Sequence, residues 1–114
     1  MRLDEIAMNL GLKDLTAELV TEKLREVRSG HASDLLSEVL ANARPGALLI
    51  TIQIHMNVIA VASHARLSGV IFTSSRLPDE EVRKRALEEK IPLFSSKEPT
   101  FDVVGRLYSL GLRE

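Results

Sequence analysis

From Ala47 onward the chain alternates continuous apolar runs with segments of helical pattern, and few folds accept that order. Ala47 to Ile52 is apolar and β-branched toward its end, as a strand buried on both faces requires. Asn57 to Ala65 reads as a helix, and Ser68 to Thr73 as a second buried strand opened by Gly69. Pro78 to Lys90 reads as an exposed helix: Pro78 stands in its first turn, Asp79, Glu80 and Glu81 follow, and Lys90 closes it, an order that suits the helix dipole. Ile91 to Phe94 is a short strand, and Pro92 without an N–H favours its start or an edge. Thr100 to Leu110 is a last amphipathic helix, with Val104, Leu107, Tyr108 and Gly111 near one face. Such alternation implies parallel strands joined by crossovers, with helices covering the sheet. The predicted fold class is α/β: a mainly parallel sheet covered by helices.

The first half carries weaker signals. Leu3, Ile6, Ala7 and Leu10 share a face at helical spacing, and Gly11 is a stop, so Leu3 to Leu10 reads as a helix. Leu15 to Val20 and Leu24 to Ser29 read as short extended segments, the second half-exposed because Lys23, Arg25, Glu26 and Arg28 surround Leu24 and Val27. Asp34 to Ala43 reads as a helix with an apolar stripe of Leu35, Leu36, Val39 and Leu40, ended by Pro45 and Gly46.

With 114 residues the chain reads as one domain, residues 1–114, large enough to bury a core without staples. A formal net charge of -1 argues against a nucleic-acid partner bound through bulk charge. The chain has no cysteine, which excludes disulfides, thiolate metal sites and cysteine nucleophiles. No apolar run approaches the roughly 20 residues that span a bilayer, and the start lacks a secretory pattern, so the expected setting is the cytoplasm without a membrane partner.

Each apolar run ends in small polar residues. In an open parallel sheet, ligands bind beyond the carboxyl ends of the strands, where helix N-termini offer free N–H groups to anions. The exits are Ser29, Gly30, His31, Ala32, Ser33 and Asp34; then Gln53, His55 and Asn57; then Thr73, Ser74 and Ser75; then Ser95, Ser96 and Lys97. Gly30, His31, Ser33, Asp34, Gln53, His55, Asn57, Thr73 and Ser74 are therefore expected to border one crevice for a small anionic or nucleotide-like ligand. The competing account is helix capping, for which Ser33, Asp34 and Asn57 are suitable without any ligand.

Residues for chemistry are sparse. His31 and His55 with Asp34 could hold a metal if their loops converged, but the spacing matches no metal signature, and hydrogen bonding or ligand contact is expected instead. His64, late in its helix, suits helix-end carbonyls. There is no GxSxG elbow, no Walker A loop and no GxGxxG, and Asp34 is the single carboxylate at the strand exits. No catalytic residue, metal or cofactor is assigned. The helix "NVIAVASHA" is apolar nearly all round, which in a small domain predicts a partner-covered surface. Val58, Ile59, Val61 and Ala62 are accordingly expected at a two-fold homodimer interface, with Ala60, Ala62 and Ser63 allowing close approach.

The stretch "GHASDLLSEVLANARPGALLITIQIHMNVIAVASHARLSGVIFTSSRLPDEE" resembles the DRTGG-domain family, as does the closing "IPLFSS…TFDVVGRLYSLG". Gly30, Ser33, Asp34, Leu35 and Leu36 match the family's Gly-x-x-Ser-Asp-Leu-Leu block, and Ile52, Gln53, His55 and Asn57 its strand-exit block. The naming motif is not present literally: Arg25 to Gly30 reads "REVRSG", and only Gly30 survives. The resemblance implies an α/β regulatory domain. Such domains stand beside CBS domains in some pyrophosphatases and in phosphate acetyltransferases, stand alone in anaerobic bacteria, and are similar to the non-catalytic N-terminal domain of bacterial HPr kinase. It adds no catalytic residue.

The leading reading is a non-enzymatic regulatory or ligand-sensing homodimer. The runner-up is a small phosphotransfer or hydrolytic enzyme using His31 or His55 with Asp34. A third is an adaptor that binds only a protein partner.

Overall fold

Ala47–Thr51 is buried at all five positions, and it forms β3, an interior strand of a five-stranded sheet. The computed structural model describes residues 1–114. In chain order the elements are α1 Leu3–Leu10, β1 Lys13–Asp14, a 3₁₀ turn Thr21–Leu24, β2 Ser29–Ala32, α2 Leu36–Asn42 and then β3. They continue with α3 Asn57–His64, β4 Gly69–Phe72, α4 Glu80–Glu89, β5 Leu93–Ser95 and α5 Thr100–Ser109. The order across the sheet is β1-β5-β4-β3-β2. The last four are parallel, and β1 lies antiparallel to β5 with Lys13 opposite Ser95. The fold is α/β, as the alternation predicts.

Two apolar cores lie on the two faces of the sheet. One unites Leu49, Val70, Phe72 and Leu93 with Val39 of α2, Val58, Ile59 and Ala62 of α3, and Val82 and Ala86 of α4. The other unites Leu48, Ile50, Ile71 and Phe94 with Leu3, Ile6 and Leu10 of α1 and Val103 and Leu107 of α5. Alternate β3 residues enter opposite cores, which is why the whole run is apolar. Each large side chain so buried is worth about 1.5–3 kcal/mol.

Four expectations need correction. Leu15 to Val20 is not a strand but a turn, and the edge pairing is made by charged Lys13 and Asp14. Leu24 to Ser29 is not extended throughout: Leu24 ends the 3₁₀ turn, and the strand begins only at Ser29. The stripe expected on α2 is mostly in water, with Leu35 64% and Leu40 48% exposed and only Val39 fully buried. On α5 the buried residues are Val103 and Leu107, while Tyr108 is exposed.

Helix α3 is the largest departure. Val58, Ile59 and Ala62 are fully buried within the single chain, and Val61 is partly buried. They therefore offer no free patch for a two-fold interface. The reason is its place in the layer: α3 packs on the sheet with α2 on one flank and α4 on the other. Three sides are covered, and the open side carries Ala60, Ser63 and His64.

Candidate functional site

Because β2, β3, β4 and β5 are parallel, their carboxyl ends meet along one edge. A line of hydrogen bonds runs along that edge. The Asp34 carboxylate accepts from the Thr51 hydroxyl and the Ile52 N–H, both at 2.9 Å, and so ties the β2 exit to the β3 exit. The Thr73 N–H donates to the Thr51 carbonyl at 3.0 Å, tying β3 to β4. The Ser74 N–H donates to the Glu98 carbonyl at 2.8 Å and the Ser75 N–H to the Ser96 carbonyl at 2.9 Å. The Thr73 and Thr100 hydroxyls lie 2.7 Å apart, and these contacts tie β4 to the β5 exit.

Ser74 and Ser75 both take left-handed backbone conformations, φ 58 and 60. Consecutive non-glycine residues there cost roughly 1–2 kcal/mol each, and the two N–H contacts hold them in place. The turn they make borders a cleft of about 370 Å³ lined by Leu10, Gly11, Lys13, Ser75, Leu77, Ser95, Ser96, Lys97, Glu98 and Arg106. The Arg106 guanidinium is engaged at its rim, 2.6 Å from Glu98 and 3.0 Å from the Asn9 carbonyl. Lys13 and Lys97 enter no ion pair. A shallower groove of about 610 Å³ between α1 and α5 shares Leu10, Glu98 and Arg106 with this cleft.

The nine residues expected at one crevice separate. Asp34, Thr73 and Ser74 belong to the hydrogen-bonded edge: Asp34 Oδ1 and the Thr73 hydroxyl are engaged in holding it, while Ser74 contributes its N–H and keeps an exposed hydroxyl. Ser33 accepts from the Leu35 N–H at 3.2 Å rather than capping α2, and the half-buried Gln53 donates its N–H to the Thr51 hydroxyl at 3.0 Å. His55 and Asn57 are exposed at the start of α3, where the Asn57 N–H donates to His55 Nδ1 at 3.1 Å. Gly30 and His31 are inside β2, not beyond it, because the strand starts later than its charge pattern suggests. Gly30 lies under Leu112, and its N–H donates to the Arg113 carbonyl at 2.8 Å. His31 is buried, and its Nε2 lies 2.8 Å from Glu38 Oε1. His31, His55 and Asp34 thus have three different sets of partners, and no group of three His, Asp or Glu side chains is placed to hold a metal.

The residues that sequence reasoning left out are Lys13, Ser75, Ser95, Ser96 and Lys97, which line the cleft. The last four were visible as polar strand exits. Lys13 was not, because its strand is two charged residues whose pairing depends on β5.

The His31 contact gives a pH test. It is the main cause holding the Glu38 carboxyl below the usual carboxylate range, with the Ser33 hydroxyl second. A depressed folded pKa stabilises above the ordinary carboxylate pKa, and that stabilisation is lost as pH falls through the folded value. Glu38→Gln should therefore flatten the acid limb of stability measured by urea denaturation from neutral to low pH. An unchanged acid limb would place the contact outside the stability balance.

Residues 12–110 match the family model of the DRTGG domain. No curated protein matches the chain in sequence. Among solved structures, it is similar to the crystal structure of the CBS and DRTGG domains of the regulatory region of Clostridium perfringens pyrophosphatase, complexed with the activator diadenosine tetraphosphate. The TM-score is 0.77 at 15% identity, over 93% of this chain and 45% of that one, so this chain spans less than half of its neighbour's length. At that identity the likeness is one of fold. No helix is long and apolar enough to cross a membrane.

Proposed function

The chain belongs to the DRTGG-domain family, and on that premise we propose that it is a non-catalytic, cytoplasmic regulatory module that senses a small anionic, nucleotide-like ligand at the carboxyl edge of its sheet. The observation that carries this reading is the cleft beside the Ser74–Ser75 turn, where Lys13 and Lys97 stand with Ser75, Ser95 and Ser96. Two cations without carboxylate partners and three hydroxyl groups suit phosphate oxygens. That the neighbouring regulatory region was crystallised with diadenosine tetraphosphate makes nucleotide polyphosphates the first ligands to try.

The reading includes a homodimer. The side chains that favour self-association are Phe101 and Tyr108 on α5, 85% and 58% exposed, rather than those of α3. A phosphotransfer or hydrolytic enzyme built on His31 or His55 with Asp34 is the weaker reading, since the Asp34 carboxylate is engaged by Thr51 and Ile52 instead of orienting an imidazole.

The test is a thermal-shift titration with diadenosine tetraphosphate, ATP, ADP, pyrophosphate and phosphate. A ligand at about 100 times its Kd should stabilise the fold by about 2.7 kcal/mol. The Lys13→Ala/Lys97→Ala variant should lose most of that shift while keeping its own ligand-free midpoint. Absence of any shift, or an equal shift in the variant, would remove the cleft from the reading.

A further inference from the structure

The amino edge of the sheet, opposite the cleft, gathers arginines. Of the ten arginines in the chain, Arg2, Arg83, Arg85 and Arg106 enter ion pairs. Of the remaining six, Arg25, Arg28, Arg44 and Arg66 all lie just before or between the starts of β2, β3 and β4. Their backbones are held in a row: the Arg28 N–H donates to the Gly46 carbonyl at 3.1 Å, and the Gly46 N–H donates to the Arg66 carbonyl at 2.8 Å. Gly46 has φ +84, and a Cβ there would meet the Arg28 Cδ at 2.9 Å, so the glycine lets the Arg28 stem lie across this junction. Arg28, Arg44 and Arg66 are exposed, while Arg25 is half-buried with Nη1 3.5 Å from the Ser68 carbonyl.

Two simpler accounts cover part of this. Arg44 and Arg66 follow α2 and α3, where a cation offsets the partial negative charge of a helix end. Arg28 precedes a strand and follows no helix, so that role does not explain it. Three acids stand near this edge: Glu26 and Glu89 border the groove that holds Arg25 and Arg66 but pair with the Met1 ammonium and Arg85, and Glu22 is near Arg25, so Arg28, Arg44 and Arg66 are the members without a carboxylate partner.

We propose that this row is a docking surface for an acidic segment of a partner protein, bound in extended form. Adjacent strands lie about 4.8 Å apart, so three strand starts span about 10 Å, and an extended peptide sets its same-side carboxylates about 7 Å apart. Guanidinium groups match carboxylates in bidentate fashion. A nucleic-acid strand is the poorer fit, because base stacking needs aromatic platforms. The four aromatic residues are elsewhere: Phe72 and Phe94 are buried, and Phe101 and Tyr108 are on α5. This surface is independent of the ligand cleft.

The experiment is fluorescence anisotropy with a labelled peptide of alternating Glu and Gly, and in parallel a labelled oligothymidylate of equal charge. The full chain should bind the peptide more tightly than the oligonucleotide, with affinity falling as salt rises. Arg28→Ala/Arg44→Ala/Arg66→Ala should weaken peptide binding by about tenfold or more, while Lys84→Ala, on the exposed face of α4, should change it by less than about twofold. Arg28→Glu alone, checked to melt as wild type does, should reproduce most of the loss and guards against a triple variant that folds poorly. No peptide binding by wild type, equal binding by the variants, or tighter binding of the oligonucleotide would each overturn the proposal.

Discussion

Ile59→Ala should destabilise the chain by about 2–5 kcal/mol, the range for emptying a fully buried aliphatic site. Ile59 is fully buried in the core formed with β3, β4, α2 and α4. A small domain has only about 5–15 kcal/mol in total, so the loss should be plain in urea denaturation. The decisive feature is its dependence on protein concentration. If α3 belongs to the core of one chain, the shift in midpoint is the same at every concentration. If α3 were a subunit interface, the midpoint would rise with concentration in wild type and the variant would remove that rise. A concentration-dependent wild-type midpoint abolished by Ile59→Ala would therefore restore the interface reading and contradict the packing described above. Val58→Glu should go further and leave no folded protein, since Val58 is fully buried and a carboxylate there finds no partner.

Asp34→Ala should cost about 1–2 kcal/mol, the scale of hydrogen bonds to a charged group discounted because Asp34 itself is exposed. Its carboxylate is the acceptor for the Thr51 hydroxyl and the Ile52 N–H, and Thr51 is fully buried. Asp34→Asn keeps one acceptor oxygen and should lose less. The measurement separates two roles. A residue kept free for ligand or catalysis can be truncated at little cost to the fold, as active-site groups often can. A loss below about 0.5 kcal/mol would mean that Asp34 is such a residue and that the edge does not depend on it.

These two residues show how far the sequence could be read. Asp34 was visible as a polar group after an apolar stretch, and its position on the carboxyl edge follows from the parallel topology. Its occupation by Thr51 and Ile52 was not visible, because that contact joins residues 17 and 18 apart in sequence. The strand Ser29–Ala32 was equally hidden. Ser-Gly-His-Ala has no β-forming pattern, and it becomes a strand because β3 offers an edge in register, with Ser29 beside Ala47 and Ala32 beside Ile50. Lys23 is a third case. A lysine in a charged run reads as solvated, yet it is buried with its ammonium donating to the Thr16 and Leu19 carbonyls and 2.9 Å from Asp14.

By itself the sequence determined the α/β class, the strands near Ala47 and Gly69, and the edge on which small polar residues collect. Those features follow from hydropathy period and backbone preference, which act over a few residues and are written locally. Only the tertiary structure decided which apolar surface is covered and which charge is free. Whether α3 meets solvent, a partner or its own neighbours depends on α2 and α4 flanking it, and the openness of Lys13, Lys97 and the arginine row depends on where the carboxylates are spent. Both are set by contacts between residues distant in the chain, and no local pattern encodes which of the available partners a side chain will meet.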